Sequence, residues 1–249
     1  MLGVSTAKHL LIRRCTASSP SRRIPMFKTL ATAVALAAVL PAHADTLAQW
    51  TFETSVPTTA GPVAPEVGSG SASGFHAAAS AYSNPVGNGS AESYSSTNWQ
   101  VGDYYQFVFS TLGFSGLAVS FDQTSSGTGP RDFNLTYSTD GSSFTPFQSY
   151  IVLANAAPNP TWSSVTYQPI YTLSFDLSAI TALDDQASVY IRMVQTSTVS
   201  ANGGLVASGG TNRVDNFLAV GSPVPEPGSL ALLLAGTAVV GFVARRQRR

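Results

Sequence analysis

The chain has 249 residues and a formal net charge of zero, but its charges are segregated along the sequence. Residues 1–44 contain six basic and no acidic residues, whereas residues 45–224 contain twelve acidic and three basic residues. An acidic central segment without lysine has no electrostatic surface for nucleic acid, which excludes nucleic-acid binding as its function. The single cysteine, Cys15, leaves the central segment without disulfides, thiol nucleophiles or thiolate metal sites.

Residues 26–44 have the pattern of a signal peptide. A lysine precedes an apolar run over residues 30–40, and a helix-breaking proline follows it. This run is too short to span a bilayer comfortably. Ala42 and Ala44 then form an A-x-A cleavage site, which predicts a mature N-terminus at Asp45.

The N-terminal pattern predicts export through the Sec translocon and cleavage by signal peptidase. Residues 1–25 are polar, basic and without hydrophobic periodicity. They are either the result of a start codon placed too early, with Met26 as the true start, or a long basic extension of the signal peptide. Both interpretations predict export.

The C-terminal end predicts a membrane anchor. Residues 229–244 are uncharged and mostly apolar, which is near the lower limit for a transmembrane helix, and four arginines lie within the last five residues. By the positive-inside rule the arginines stay in the cytoplasm, so the preceding body faces the periplasm. Pro225 and Pro227, on either side of Glu226, keep the segment before the helix extended, as a protease substrate requires.

Pro225-Glu226-Pro227, the apolar segment and the arginine cluster together resemble the PEP-CTERM sorting signal, over residues 223–249. The same tail is also known as an ice-binding protein C-terminal domain. The resemblance implies a Gram-negative host that makes exopolysaccharide and a membrane protease-transpeptidase, exosortase, that cuts near the motif. The protein would then reside transiently in the inner membrane before reaching the cell surface or the medium. The alternative is a plain C-terminal anchor.

The body, residues 45–222, predicts an all-β fold. Apolar residues recur with a period of two, the signature of strands with one buried face, and polar turns separate them. The alternating residues include Trp50 and Phe52; Tyr105, Phe107 and Phe109; Leu117, Val119 and Phe121; Phe133, Leu135 and Tyr137; Val165 to Leu177 on odd positions; and Val189, Ile191 and Met193. The pattern predicts an antiparallel β-sandwich of jelly-roll type, flanked by an N-terminal signal helix and a C-terminal transmembrane helix.

Four segments of the body, LAQWTFE, TYSTDGSSF, FDLSAITALDDQASVYIRMV and TNRVDNFLAVGS, resemble passenger domains that carry this sorting tail. Their layout is similar to galactose-binding-like and carbohydrate-binding jelly rolls. That resemblance implies a structural Ca²⁺ shared by an acid near the first strand and an aspartate in the last, here Glu53 and Asp215. The alternative is that both carboxylates face solvent.

The body shows no catalytic motif. Its one histidine, His76, lies in a Gly/Ala/Ser-rich stretch, which predicts a surface loop residue rather than a catalytic base. One histidine without cysteine cannot form a typical zinc site. The twelve acids leave open a glycosidase that uses two carboxylates.

Two functions from different classes therefore remain open. The first is a non-enzymatic surface or matrix protein that binds exopolysaccharide or other glycans. Among its aromatic residues Tyr94, Trp99 and Trp162 lie near predicted turns and are the candidate glycan contacts. The second is a secreted glycosidase-like hydrolase that acts on extracellular polysaccharide.

Overall fold

The computed structural model describes residues 43–224 and 227–247. The predicted signal helix, Ala42, Pro225 and Glu226 lie outside the described residues. The body consists of twelve strands in two antiparallel sheets, which confirms the predicted all-β sandwich of jelly-roll type.

The larger sheet has seven strands, with β10, β7, β12, β1 and β2 in spatial order, while β5 also pairs with β12 and β4 pairs with β5. Its strands are β1 (Asp45–Trp50), β2 (Val67–Gly68), β4 (Tyr82–Ser83), β5 (Tyr94–Ser96), β7 (Phe114–Ser125), β10 (Thr172–Asp176) and β12 (Asn212–Pro223). The first and last strands are antiparallel neighbours, with Asp45 opposite Gly221.

The smaller sheet has five strands in the order β3, β6, β11, β8, β9. These strands are β3 (Gly70–Phe75), β6 (Tyr104–Phe109), β8 (Asp132–Ser138), β9 (Thr145–Ile151) and β11 (Val189–Gln195). Strict alternation of burial along β6 and β11 sends every second side chain into the space between the sheets and the others outward. The outward side chains of this sheet therefore form a continuous surface.

The core between the sheets is dominated by aromatic rings. Phe107 of the smaller sheet stacks on Phe217 of the larger sheet with ring centroids 3.9 Å apart, and Trp50 packs edge-on against both. Each such ring buries a large apolar area, and aromatic pairs add about 0.5–1.5 kcal/mol beyond that burial. A body without disulfides is thus stabilised by ring packing.

The hairpin between β8 and β9 differs in detail from the prediction. Asp140 Oδ1 accepts hydrogen bonds from the backbone N–H groups of Ser142 (2.8 Å) and Ser143 (2.7 Å), which hold the turn and lower the pKa of this carboxyl. The pair Asp140-Gly141 in the sequence predicts a tight hairpin whose returning strand opens at Phe144, whereas β9 begins one residue later, at Thr145. Phe144 instead folds over the outer surface of the smaller sheet.

The odd-position pattern over residues 165–177 predicted one strand, and this is wrong for its first half. Val165 is 87% exposed, Pro169–Tyr171 is a 3-10 turn, and only β10 pairs with a neighbour. Pro169 has a fixed φ and no N–H, so it suits the first turn of a helix better than a ladder. In the body, the sequence leaves room for a short helical turn only within residues 178–185, and a 3-10 turn lies there at Thr181–Leu183.

The tail forms helix α1 (Pro227–Arg246), 20 residues long and ending in basic residues. Within the described part of the chain, no helix combines the length and mean hydropathy that a bilayer crossing requires. The predicted membrane span over residues 229–244 is thus not shown by the structure.

Candidate functional site

The three aromatic residues expected at the surface are buried, which corrects that expectation. Tyr94 is fully buried, and Trp99 and Trp162 are each 4% exposed. Tyr94 donates from its hydroxyl to the Thr59 carbonyl (2.9 Å), and Trp99 Nε1 donates to the Ser96 carbonyl (3.1 Å). Proximity to predicted turns did not indicate exposure, because Tyr94 and Trp99 pack on Tyr105 in the core and Trp162 packs on Tyr171.

Other aromatic side chains lie on the outer surface of the smaller sheet. Phe75 on β3 and Tyr104 on β6 are register partners whose rings stack with centroids 5.1 Å apart and planes within 16°. Phe75 is 49% exposed. One face of Phe75 packs on Tyr104, so the exposed half of this residue is open to a ligand.

Arg192 continues this row on the next strand. Its guanidinium carbon lies 4.0 Å from the ring centroid of Tyr104 and 3.5 Å from that of Phe144, so the cation is held between two rings. Nε donates to Gln106 Oε1 (2.8 Å). The hairpin that Asp140 holds is what brings Phe144 to this position.

Two polar atoms beside this row lack partners. Asn134 Oδ1 and Thr136 Oγ1 on β8 are buried and have no hydrogen-bond partner among the described residues. Thr136 lies opposite Arg192 in the ladder, and Asn134 lies opposite Val194. A buried acceptor without a donor costs free energy, so both atoms favour a bound water or ligand.

We call the outer surface formed by Phe75, Tyr104, Gln106, Asn134, Thr136 and Arg192 the aromatic face. The sequence alone held one signal for it, since the buried stripe of Tyr105, Phe107 and Phe109 implies that Tyr104 points outward. Nothing in the Gly/Ser-rich β3 indicated a strand, and so Phe75 was missed.

His76 is not a surface loop residue, which corrects that prediction. Its side chain is 1% exposed, with Nδ1 2.9 Å from Asp103 Oδ2 and Nε2 3.0 Å from Ser96 Oγ. Asp103 also accepts from the backbone N–H groups of Ala77 (2.8 Å) and Gln100 (2.7 Å). Ser96, His76 and Asp103, here called the His76 cluster, therefore have the hydrogen-bonding order of a Ser-His-Asp triad.

Burial prevents the His76 cluster from acting as an exposed nucleophile and base. Ser96 and Asp103 are fully buried, and Ser96 Oγ also contacts the Tyr105 hydroxyl (2.8 Å). Burial lowers the pKa of His76, with Asp103 opposing the shift, so the imidazole is neutral at pH 7. Neutral His76 donates from Nδ1 to Asp103 and accepts at Nε2 from Ser96.

The cluster has a clear structural consequence for the aromatic face. His76 directly follows Phe75, and Asp103 directly precedes Tyr104. The His76–Asp103 hydrogen bond therefore fixes the end of β3 against the start of β6, next to the stacked ring pair.

Glu53 and Asp215 both hold the loop of residues 87–92, Glu53 from an exposed position and Asp215 from a buried one. Glu53 Oε1 accepts from the Glu92 backbone N–H (2.8 Å). Asp215 Oδ2 accepts from the Asn88 backbone N–H (2.9 Å) and from Ser90 Oγ (2.6 Å). Residues 87–92 are thus held by one carboxylate from the turn after β1 and by another from β12.

These contacts do not fit the Ca²⁺ site that the resemblance implies. Calcium takes six to eight oxygen ligands, whereas the oxygens of Asp215 already accept from four N–H or O–H groups, including the Asn216 backbone N–H (2.7 Å). Among the described residues, no group of three or more acidic, histidine or cysteine side chains could hold a metal ion.

Asp215 has a second carboxylate beside it. Asp122 is its register partner on β7, and the Asn216 amide donates to Asp122 Oδ2 (2.9 Å) and to Asp215 Oδ2 (3.3 Å). Burial raises the pKa of Asp215 to about 7, hydrogen bonds from Ser90, Asn88 and Asn216 oppose this, and Asp122 adds to it. One carboxyl of the pair is consequently near half-protonated at neutral pH.

The predicted signal cleavage site lies at the start of the body. Ala44 and Asp45 are exposed, and Asp45 is the first residue of β1. A cut before Asp45 would leave the strand intact. Pro227, the one described residue of the sorting motif, is the first residue of α1.

Several solved structures are similar to the body at low identity. The CBM22-2 xylan-binding domain of Xyn10C from Paenibacillus barcinonensis matches at 11% identity and TM-score 0.42, covering 71% of this chain and 99% of that one. The K1 cleaved adhesin domain of Lys-gingipain from Porphyromonas gingivalis W83 matches at 12% identity and TM-score 0.42, covering 73% of this chain and 99% of that one. These similarities are too distant to indicate a ligand. No curated protein matches the sequence.

The tail gives a specific match. Residues 223–249 fit the family description "PEP-CTERM protein-sorting motif", which begins where β12 ends and includes all of α1. The motif implies processing by exosortase and export toward the cell surface. The chain therefore carries a PEP-CTERM protein-sorting signal behind a jelly-roll β-sandwich.

Proposed function

We propose that this protein is a non-enzymatic surface or matrix protein that binds exopolysaccharide glycans through the aromatic face. The observation that carries the proposal is the stacked Phe75–Tyr104 pair on the outer surface of the smaller sheet, with Phe75 half exposed. Aromatic rings stack on the C–H faces of sugars, and few other ligands in an extracellular matrix combine an apolar face with a rim of hydroxyls.

The polar groups around the rings supply the rest of the recognition. Nε of Arg192 is held by Gln106, and its terminal nitrogens make no hydrogen bond within the described residues, so they can donate to sugar hydroxyls or carboxylates. Because the sheet fixes all these groups, little conformational entropy is lost on binding.

The route to the surface completes the proposal. The Sec translocon would export the chain, signal peptidase would cut before Asp45, and the tail would hold the body on the periplasmic side of the inner membrane. Exosortase would then cut near Pro225-Glu226-Pro227 and release the body into the exopolysaccharide layer.

Affinity electrophoresis tests the binding. The exported protein, purified from its host, is run through gels that contain the host exopolysaccharide. Removing both rings, Phe75→Ala with Tyr104→Ala, should weaken retardation roughly tenfold or more. The control removes two exposed apolar side chains that lie outside the smaller sheet, Leu112→Ala with Leu205→Ala.

Equal retardation of both double variants would reject the aromatic face as the binding site. Absence of retardation in the unmodified protein would reject glycan binding. Release of new reducing ends from the polysaccharide would instead support the hydrolase.

Replacing Pro225, Glu226 and Pro227 by alanine tests the sorting step. In an exosortase-positive host we expect a full-length, membrane-retained species, visible by intact mass after fractionation. Unchanged processing would favour a plain anchor.

A further inference from the structure

A cleft lies on the outer surface of the larger sheet, on the opposite side of the sandwich from the aromatic face. Its volume is about 410 Å³, within the range of small-ligand sites, roughly 300–1,000 Å³. Its floor consists of side chains from four adjacent strands, including Gln49 on β1, Ser120 on β7 and Thr172 on β10. We call it the polar cleft.

Two groups on the floor are available to a ligand. The side-chain amide of Gln49 and the hydroxyl of Ser120 make no hydrogen bond within the part of the chain that the structure describes. Both lie opposite Leu218 in the ladder, one on each side of it. The floor thus offers one amide and one hydroxyl flanking an apolar side chain.

Asp122 contributes a preorganised acceptor. Its carboxylate accepts from Thr172 Oγ1 (2.6 Å) and from Asn216 Nδ2 (2.9 Å), and the residue is 1% exposed. A carboxylate has about four lone-pair positions, so two hydrogen bonds leave it free to accept from a ligand hydroxyl. Thr172 and Asn216 thus fix the orientation of the Asp122 side chain.

The walls of the cleft are joined to each other. Asn88 donates from Nδ2 to the Gln168 carbonyl (3.1 Å) and accepts at Oδ1 from the Gln168 backbone N–H (2.8 Å). Tyr167, 51% exposed, hydrogen-bonds through its hydroxyl to Thr172 Oγ1. The ring is therefore fixed at the rim, in position to pack against a ligand.

We propose that the polar cleft is a second saccharide-binding site, selective for uncharged sugars. A fixed tyrosine ring, an unpaired amide, an unpaired hydroxyl and a carboxylate acceptor match the apolar faces and hydroxyls of a neutral pyranose. None of the described residues that line the cleft is basic, so uronate, sulfate or phosphate groups find no cation there and are repelled by Asp122.

The two sites face away from each other, since they lie on the outer surfaces of opposite sheets. A protein with both sites occupied joins two polysaccharide strands. Multivalency of this kind raises the strength of attachment to a matrix well above that of one site. Binding in the polar cleft does not depend on the aromatic face, because the two sites share no residue, whereas the joining of two strands rests on the proposed function.

NMR titration of the exported protein tests the cleft, with methyl β-glucoside, methyl β-galactoside and galacturonate as probes. We expect at least one neutral glycoside to shift the amide signals of Ser120, Thr172 and Asn216. Gln49→Ala and Ser120→Ala should each weaken that binding roughly two- to tenfold. The matched control is Ser174→Ala, since Ser174 is the ladder partner of Ser120 outside the cleft.

The aromatic-face double variant should leave these shifts unchanged, so the two sites can fail separately. Absence of cleft shifts with both neutral glycosides overturns the proposal. Equal weakening by Ser120→Ala and Ser174→Ala overturns it as well. Galacturonate binding in the cleft as tightly as the neutral probes overturns the selectivity.

Discussion

The aromatic face and the His76 cluster lie at the ends of the same two strands, yet they differ in what can reach them. The cluster has the side chains and the order of contacts that acyl transfer uses, but all three of its side chains are buried. The aromatic face has no such chemistry, but Phe75 is half exposed. Catalytic residue types in a suitable geometry stabilise a fold when nothing can reach them, and accessibility separates a site from a structural clamp.

Removing the imidazole should have the largest effect. His76→Ala leaves the buried Asp103 carboxylate and the Ser96 hydroxyl each without one partner, so we expect a loss of about 3–5 kcal/mol in the free energy of unfolding. Urea denaturation measures it, with Leu112→Ala as a surface control. A loss below about 1 kcal/mol would mean that the cluster does not hold the strands.

The pH dependence of the free energy of unfolding distinguishes the contribution of His76 from that of the Asp122–Asp215 pair. The pKa of Asp215 is raised to about 7 in the folded protein, so the folded state holds a proton that the unfolded state has released. Its stabilising contribution is full below about pH 4 and is lost as the pH rises to about 7, amounting to roughly 1–4 kcal/mol.

Asp215→Asn should abolish that loss. The variant should then show only the trend that His76 produces, which is opposite to that of Asp215: the lowered pKa of His76 makes stability fall as the pH drops below the ordinary histidine range. Urea midpoints of both proteins between pH 4 and pH 8 measure this. Parallel profiles would show that Asp215 does not titrate in this range.

A conservative substitution at Arg192 tests the aromatic face. Arg192→Lys keeps the charge but loses the planar group that packs between Tyr104 and Phe144. We expect retardation by exopolysaccharide to weaken roughly three- to tenfold, with a change in unfolding free energy within about 1 kcal/mol. If the free energy of unfolding falls and exopolysaccharide binding does not, Arg192 stabilises the fold and is not part of the binding site.

A fluorophosphonate probe asks directly whether Ser96 can be reached. Because Ser96 is fully buried, we expect no labelling of the folded protein by intact mass. A subtilisin sample serves as the positive control. Stoichiometric labelling that is lost in Ser96→Ala would show that the His76 cluster is an accessible active site and would support the hydrolase.

Calcium should have no effect. The donors around Asp215 occupy the oxygens that a metal would need, so melting midpoints with calcium and with EDTA should coincide. A higher midpoint with calcium would restore the site at Glu53 and Asp215 and would require residues 87–92 to rearrange.

Local patterns in the sequence predicted the fold, and distant pairings decided the site. Alternation over six or seven residues was enough to identify strands such as β6 and β11, since burial on one face needs no knowledge of the partner. His76 meets residues 20 and 27 positions away, and Asp215 meets a backbone N–H 127 positions away. No local pattern indicates such contacts, and for this reason the prediction that His76 lies in a surface loop was wrong.

On the proposed export route, the pairing of β1 with β12 would set the timing of folding. Strand β12 lies between β7 and β1 in the larger sheet, so this sheet would be completed only after residues 212–223 had crossed the membrane. Those residues end where the sorting motif begins. Until then β1 would lack its partner and would present an open edge prone to pairing with other chains. A tail that delayed release would therefore give the sandwich time to close, so the processing protease would receive a folded domain rather than an aggregation-prone intermediate.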